Sequence, residues 1–560
     1  MAQVGLRSGG QILVDALKKH GVDMAFAVPG ESYLAVLDAL HDAGNQIRLV
    51  TCRQEGGAAY MAEAYGKLTG RPGICMVTRG PGATNAAVGL HTGFQDSTPM
   101  ILLIGQVARD QAEREAFQEV DFRRMFGQVT KWTAQIEDAR RIPEYVSQAF
   151  HRALNGRPGP VALALPEDML TDRVEVADAG HYVVARGNPS REQMAELRER
   201  LTHAKRPFVI LGGGGWDAKA VDDFRAFAEV MNLPVGTSFR CQDLMDNDHR
   251  NYVGDVGIGI NPKLAERVKT ADLLLVVGAR LGEMTTSGYT LLDAPLPKQT
   301  LVHVHASAEE LGRVYQSVLP INSGMAGFAA LARGLLPLDH SAWDAWTEGA
   351  RADYVAWQKH DRNAGAVQMG EIIAYLREKL PADAIMTNGA GNYASWLHRF
   401  YRFRKYRSYL GPTNGSMGYG VPSAVAAKLV HPDRIVVSFN GDGCFLMNGQ
   451  ELATAVQHNA NAIFLVINNG MYGTIRMHQE REYPGRVSGT ALKNPDFAAL
   501  ARAYGAHGET VAKTEDFAPA FERALKAGKP ALIEVILDPE AITPRLGLSQ
   551  IRENALKARA

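Results

Sequence analysis

Short apolar runs bounded by turn residues recur along this chain. They alternate with longer stretches whose apolar positions repeat every three or four residues, the pattern of buried parallel strands joined by helices. In the first third the runs are IRLVT (47–51), ICMVT (74–78), PMILLIG (99–105) and PVALALP (160–166). VADAGHYVVARGNPS (176–190), with its Gly and Pro, reads as a linker. PFVILGGGG (207–215), DLLLVVGAR (272–280) and LVHVHAS (301–307) form a second set, and a polar region with little strand signal spans 347–365. The third set opens on EIIAYLREKL (371–380), where Ile372, Ile373, Tyr375, Leu376 and Leu380 share one helical face, and runs to PALIEVILD near the C-terminus. The pattern predicts an α/β protein of three doubly wound parallel-sheet domains, at 1–175, 191–340 and 366–560.

The first and third stretches carry an internal repeat. AYGKLTGRPGICMVTRGPG (64–82) lies on VAAKLVHPDRIVVSFNGDG (425–443) without a gap. Lys67-Leu68 then falls on Lys428-Leu429 and Gly80-x-Gly82 on Gly441-x-Gly443, both at an offset of 361 (428 − 67 and 441 − 80). Each copy reads helix, turn, buried strand, Gly-x-Gly turn, new helix. Two related domains therefore flank a third, and such sheets take ligands beyond the carboxyl ends of their strands.

Composition narrows the classes. With 560 residues, 46% hydrophobic and 21% charged, the chain is globular and long enough for three or four domains. Sixty Lys plus Arg balance sixty Asp plus Glu, so net charge gives no reason to expect a nucleic-acid or membrane partner. Cys52, Cys75, Cys241 and Cys444 lie far apart and form no CxxC, which argues against a disulfide framework or a zinc site. No apolar run approaches the ~18 residues that span a bilayer. The opening MAQVGLRSGG lacks an apolar signal core. The expectation is a cytoplasmic protein.

The most informative segment is 440–470, NGDGCFLMNGQELATAVQHNANAIFLVINNG. Strand IVVSF (435–439) ends at Gly441-Asp442-Gly443, and strand AIFLVI (462–467) ends in Asn468-Asn469-Gly470, so both loops fall on one edge of one sheet. Glycines let backbone N–H groups approach a phosphate, and the helix after Gly443 presents its positive end. An Asp carboxylate and an Asn carbonyl are hard oxygen donors, which with a main-chain carbonyl and diphosphate oxygens suit Mg²⁺. Either loop alone would be an ordinary turn; the pair at these strand ends is specific.

This pattern resembles the diphosphate-and-metal motif of thiamine-diphosphate (ThDP) enzymes, and the rest of the chain resembles their acetolactate synthase/pyruvate oxidase branch almost end to end. The resemblance implies a pyrimidine-binding, a central and a diphosphate-binding domain in that order. It implies that Asp442 and Asn469 ligate Mg²⁺ through side chains and Met471 through its backbone oxygen, with Gly441, Gly443, Cys444, Tyr472 and Gly473 around the cofactor. NGAGNYASW (388–396) resembles the family's other phosphate loop, placing Gly391, Asn392 and Tyr393 near the diphosphate. In GSMGYG (415–420), Gly415 and Met417 match the residues that hold the aminopyrimidine, with Met417 bending the cofactor. RQEGGAAYMAEAYGKLTG (53–70) resembles the family's glutamate motif and makes Glu55 the catalytic acid, which activates the cofactor through the pyrimidine ring. An isolated Glu there would be a helix N-terminal carboxylate. At the repeat offset Glu55 falls on Ser416, as expected of a pseudo-symmetric site. In the family Glu55 and the diphosphate domain come from different subunits, which implies a homodimer or homotetramer.

The reaction is read from departures. RGPGATN (79–85) lacks the His pair of the pyruvate decarboxylase branch, and AVPGESYLAVLDAL (27–40) looks like acetolactate synthase. GQVARDQAEREAFQEVDF (105–122) resembles that enzyme's substrate-side segment, making Phe117 and Gln118 wall residues; the plain alternative is a core Phe and a surface Gln. PED (166–168) stands where PKD is expected, so Glu167 replaces a cation of the substrate channel, and His478 in GTIRMHQEREY (473–483) stands where the family carries a selectivity-shaping tryptophan. An anion at the entrance would repel a second 2-oxo acid. The expected activity is a 2-oxo acid decarboxylase/carboligase whose acceptor is an aldehyde or a less charged 2-oxo compound. An acyl-CoA decarboxylase or lyase, a catalytically silent homologue and a nicotinamide dehydrogenase remain alternatives.

Three weaker signals stay in the background. GGGGWDAK (212–219) lacks the full GxGxxG, so flavin (FAD) is compatible but not predicted. HRFYRFRKYRSYL (398–410) mixes bases and aromatics as single-strand binders do, yet in a neutral chain it reads as scaffold or interface. Sixteen histidines show no HExxH, so no transition-metal site is expected.

Overall fold

A computed structural model describes residues 5–559. The expectation drawn from the opening stretch falls partly on Met1–Val4, outside the described residues. Three six-stranded sheets carry the fold, and every strand pair in them is parallel.

The first sheet holds β1 (Met24–Ala27), β2 (Arg48–Thr51), β3 (Gly73–Val77), β4 (Met100–Gln106), β5 (Trp132–Gln135) and β6 (Pro160–Pro166). Its order is β2-β1-β3-β4-β6-β5. β3, β4 and β6 are buried at every position, as expected of central parallel strands covered by helices on both faces. The second sheet holds β7 (Pro207–Leu211), β8 (Val235–Ser238), β9 (Tyr252–Val256), β10 (Leu273–Val277), β11 (Thr300–His305) and β12 (Leu319–Asn322), ordered β9-β8-β7-β10-β11-β12. The third holds β13 (Ile385–Asn388), β14 (Tyr409–Leu410), β15 (Val436–Gly441), β16 (Ile463–Asn468), β17 (His507–Val511) and β18 (Ala531–Ile536), ordered β14-β13-β15-β16-β18-β17.

The first and third sheets thus have the same strand order, which the sequence repeat expects of duplicated domains. The second sheet has the dinucleotide-fold order instead. Its glycine loop serves packing: a Cβ on Gly213 would stand 2.0 Å from the Gly278 carbonyl oxygen, and the Trp216 indole donates to Gly212 O at 2.9 Å. The linker 176–190 has no regular structure and ends in a capping box, where Ser190 and Gln193 satisfy each other's backbone N–H at the start of helix Arg191–His203.

Two compact units make up the chain. One is the first sheet domain through Ala185 with Val425–Pro432 and Asn448–Ala460; the other contains the second and third sheets. The basic-aromatic stretch 398–410 is spent inside the second unit. Phe400, Tyr401, Phe403 and Tyr409 are core, Arg404 donates to Leu380 O at 2.8 Å, and Arg402 pairs with Asp248 at 2.8 Å. All four cysteines are free thiols. Among the described residues no helix is long and apolar enough to cross a membrane.

Candidate functional site

In the second unit β15 ends at Gly441 and α3 (Asp442–Asn448) starts on the next residue, at the carboxyl edge of the third sheet. The neighbouring β16 ends at Asn468 on the same edge. The Asp442 carboxylate is buried and ties these loops together: it accepts from Gly443 N at 2.9 Å, Gly470 N at 2.9 Å and the Asn494 amide at 2.7 Å. Burial pushes its carboxyl upward, and the three donors oppose that shift. The Asn494 amide also donates to Asn468 Oδ1 at 2.9 Å, while Asn494 Oδ1 is buried with no hydrogen-bond partner among the described residues. Asn469 is half-buried beside Gly473, where a Cβ would lie 3.1 Å from its amide nitrogen.

Glycine is required at 441 and 443 because aromatic rings lie against them. Added Cβ atoms would meet the Tyr393 ring at 2.8 Å and the Tyr472 ring at 2.5 Å. Tyr393 and Gly391–Asn392 belong to the loop after β13. The Tyr393 hydroxyl donates to Cys444 Sγ at 3.2 Å, and Gly418 N donates to the same sulfur at 3.1 Å, which draws in the loop of Gly415 and Met417. Thr474 Oγ1, in α5 (Gly473–Glu482; α4 is Glu451–Gln457), accepts from Asn392 N and donates to Asn392 Oδ1, both at 3.0 Å. Met471 and Tyr472 are fixed by pairing with Ala491 and Thr490. Gly391, Asn392, Tyr393, Gly415, Met417, Asp442, Cys444, Asn469 and Met471 are therefore one neighbourhood.

Two contributors were not legible in the sequence. Asn494 sits in an unremarkable KNPD stretch. Arg240 follows β8 in left-handed backbone (φ 62°) and, buried, donates to Gly389 O at 2.9 Å and Pro412 O at 2.6 Å, at the roots of both loops.

His478 lies half-buried on α5, its ring bonded to Arg481 at 2.6 Å and pushed down by burial and that cation. Two residues on, Glu480 is fully buried between Arg476 (2.7 Å) and Arg552 (2.5 Å) of helix Leu548–Lys557. The Arg552 bond, helped by Gly485 N and Arg476, holds its carboxyl at about 2. A carboxyl lowered on folding contributes stability above the unfolded value of 4.5, and that stability is lost as pH falls from there toward 2. Glu480→Gln should cost about 3 kcal/mol locally and speed amide exchange across 548–557 at neutral pH; unchanged exchange there would show that the helix is held by its apolar face alone.

In the first unit Glu55 opens α1 (Glu55–Thr69) just beyond β2. Gln54 caps the helix by accepting from Gly57 N at 3.0 Å. Asn85, on α2 (Gly80–Asp96), donates to Glu55 Oε2 at 2.9 Å. Phe117 is 71% exposed, against the alternative of a core residue. Gln118 is in left-handed backbone (φ 66°), and its carbonyl accepts from Gly80 N at 2.9 Å, so this loop sits on the start of α2.

Glu167 corrects the charge argument. It is not a free anion: its carboxylate is paired with Arg79, a buried guanidinium immediately before α2 that also donates to Phe117 O at 3.4 Å. The change at PED therefore yields a neutral ion pair rather than a repelling charge.

Comparison with known proteins follows the same three-part plan. Three family models match: "Thiamine pyrophosphate enzyme, N-terminal TPP binding domain" over residues 7–125, "central domain" over 194–332 and "C-terminal TPP binding domain" over 389–535. The acetolactate synthase large subunit of Corynebacterium glutamicum is 31% identical, the match covering 95% of this chain and 87% of that protein. That of Lactococcus lactis is 32% identical over 95% and 92%, and the isozyme 2 large subunit of Escherichia coli 29% over 95% and 96%. Likeness that runs through all three sheets, and not through the cofactor loops alone, means that this chain belongs to the thiamine pyrophosphate enzyme family, in its acetolactate synthase-like branch.

Proposed function

We propose that the protein is a ThDP- and Mg²⁺-dependent decarboxylase/carboligase that takes a 2-oxo acid donor and an acceptor without a carboxylate. The observation that carries this reading is the node at Asp442, where one buried carboxylate joins the two loops that the family motif uses. Bound there, ThDP supplies the carbon nucleophile and electron sink that a bond beside a carbonyl needs. The residues present fit the metal. Among the described residues no three His, Cys, Asp or Glu side chains cluster as a cage. A site built from the Asp442 carboxylate, Asn469 Oδ1 and the Met471 carbonyl leaves the remaining oxygens to a diphosphate, as Mg²⁺ prefers.

In this reading Gly391, Asn392, Tyr393, Gly441, Gly443, Cys444, Tyr472 and Gly473 surround the diphosphate, and Gly415 and Met417 hold the pyrimidine. Glu55 holds and moves a proton at the ring edge. Phe117, Gln118 and His478 line the substrate side. Domains at 1–175, 191–340 and 366–560, an active unit of two or four copies, and a cytoplasmic setting complete the picture; FAD is compatible with it but not required by it.

Reconstitution with ThDP and Mg²⁺, followed by a screen of 2-oxo acids with and without aldehydes for CO₂ and ligation products, tests the proposal. Acetolactate as the dominant product from pyruvate would overturn the acceptor assignment, and no CO₂ from any donor would overturn the activity. The Arg79–Glu167 pair gives a sharper check. Glu167→Gln leaves Arg79 as an unbalanced cation, so the ratio of 2-oxo acid to aldehyde acceptor used should rise about tenfold. An unmoved product ratio would place the pair away from the acceptor.

A further inference from the structure

Helix α4 begins with a carboxylate that the cofactor chemistry does not use. Glu451 is fully buried, and its partners are two main-chain N–H groups and one hydroxyl. Oε1 accepts from Arg53 N at 3.1 Å and Gln54 N at 2.9 Å; Oε2 accepts from Arg53 N at 3.3 Å and the Thr454 hydroxyl at 2.6 Å. Arg53 and Gln54 are the two residues immediately before Glu55, and Gln54 is the cap of α1. The first turn of α1 also lies directly on this carboxylate. A Cβ at Gly57 would come within 2.5 Å of Glu451 Oε1, so glycine at 57 is what allows the approach.

The donors are ones that a helix start leaves without partners of its own. An ionised carboxylate is their strongest available acceptor. Glu451 therefore fixes the turn 53–57 from beneath, while Asn85 fixes the Glu55 carboxylate from α2. Between them they leave Glu55 little freedom to change height or direction. Such freedom matters, because an error of about 1 Å in the placement of a reacting group can cost about a hundredfold in rate.

We infer that Glu451 is a positioning residue, whose buried carboxylate holds the Arg53–Gly57 turn and thereby sets where the Glu55 carboxyl stands. This rests on the reading of Glu55 as the group that moves the proton. Glu451 takes no part in that transfer and acts only through Glu55.

That restriction makes the inference testable by a double-mutant cycle in the reconstituted full-length enzyme. Glu451→Ala should lower kcat about 30-fold, with the calorimetric affinity for ThDP and Mg²⁺ changed by less than threefold. Introduced into Glu55→Gln, whose residual turnover is followed over hours, the same change should have less than a threefold effect. Glu451→Gln keeps one carbonyl acceptor for the turn and should recover part of the rate; it carries the cycle if the alanine variant does not fold. Equal losses in both backgrounds would mean a general structural role and overturn the inference, as would an unchanged kcat in Glu451→Ala. Full turnover in Glu55→Gln alone would instead overturn the reading of Glu55, so the two failures are distinguishable.

Discussion

Asp442→Ala is expected to abolish magnesium-linked uptake of ThDP, with affinity falling at least ~100-fold in calorimetry. Two losses combine. The proposed metal site loses its one carboxylate, and the neighbouring buried acid, Glu534, is already engaged by the Asn468 amide at 2.8 Å and the Thr510 hydroxyl at 3.2 Å. The loops also lose their tie, since Gly470 N and the Asn494 amide both donate to Asp442 Oδ2. Both donors then keep only Asn468 Oδ1, at 3.1 Å from Gly470 N and 2.9 Å from the Asn494 amide, so the segment from Asn468 to Gly473 should exchange its amides faster as well. Asp442→Asn separates the effects, because its carbonyl still accepts one of these N–H groups while the charge is gone. It should keep more of the loop order and still bind the cofactor poorly. Unchanged affinity in the alanine variant would show that the metal, if any, is held elsewhere.

Sequence was most informative where burial on both faces forces a continuous apolar run. MILLI, LLLVV and IFLVI are central strands that could be little else. The edge strand Arg48–Thr51 also stood out as IRLVT, but several short strands were missed for the same reason in reverse. Met24–Ala27, Val235–Ser238 and Ile385–Asn388 are four residues each, carry Ala, Gly, Thr or Asn, and are strands because their neighbours in the sheet bury them. The candidate site divides in a similar way. Residues whose type is dictated locally stood out: glycines against the Tyr393 and Tyr472 rings, and the acidic start of α3. Those recruited from a distance did not, because nothing in QELATA marks Glu451 as the partner of Arg53 and nothing in SFRCQ marks Arg240 as the strut of two loops.

Glu167 shows the limit of reading charge one position at a time. Its partner Arg79 is 88 residues away in sequence (167 − 79) and belongs to the turn that leads into α2. A substitution that reverses the sign of a side chain changes the field in the site only by what the surrounding charges leave uncancelled. Here the guanidinium leaves almost nothing, so a preference for uncharged acceptors would come from the absence of a free cation rather than from repulsion.

Glu55→Gln is expected to lower turnover by about 10²–10⁴-fold, the usual contribution of a positioned acid or base, while ThDP affinity moves by less than threefold. The substitution is close to isosteric, and the geometry around it favours a clean result. Glutamine keeps an oxygen for the Asn85 amide, now 2.9 Å from Glu55 Oε2, and leaves the Gln54 cap and the Glu451 anchor untouched. The helix start should therefore stand where it does now, with melting temperature within a few degrees of the parent. What disappears is the capacity to hold a proton and release it, since an amide does neither at working pH. Stopped-time assays of CO₂ release beside calorimetry of cofactor binding separate the two quantities. A fall in both together would make Glu55 a binding residue, and turnover at the parental rate would remove it from the chemistry altogether.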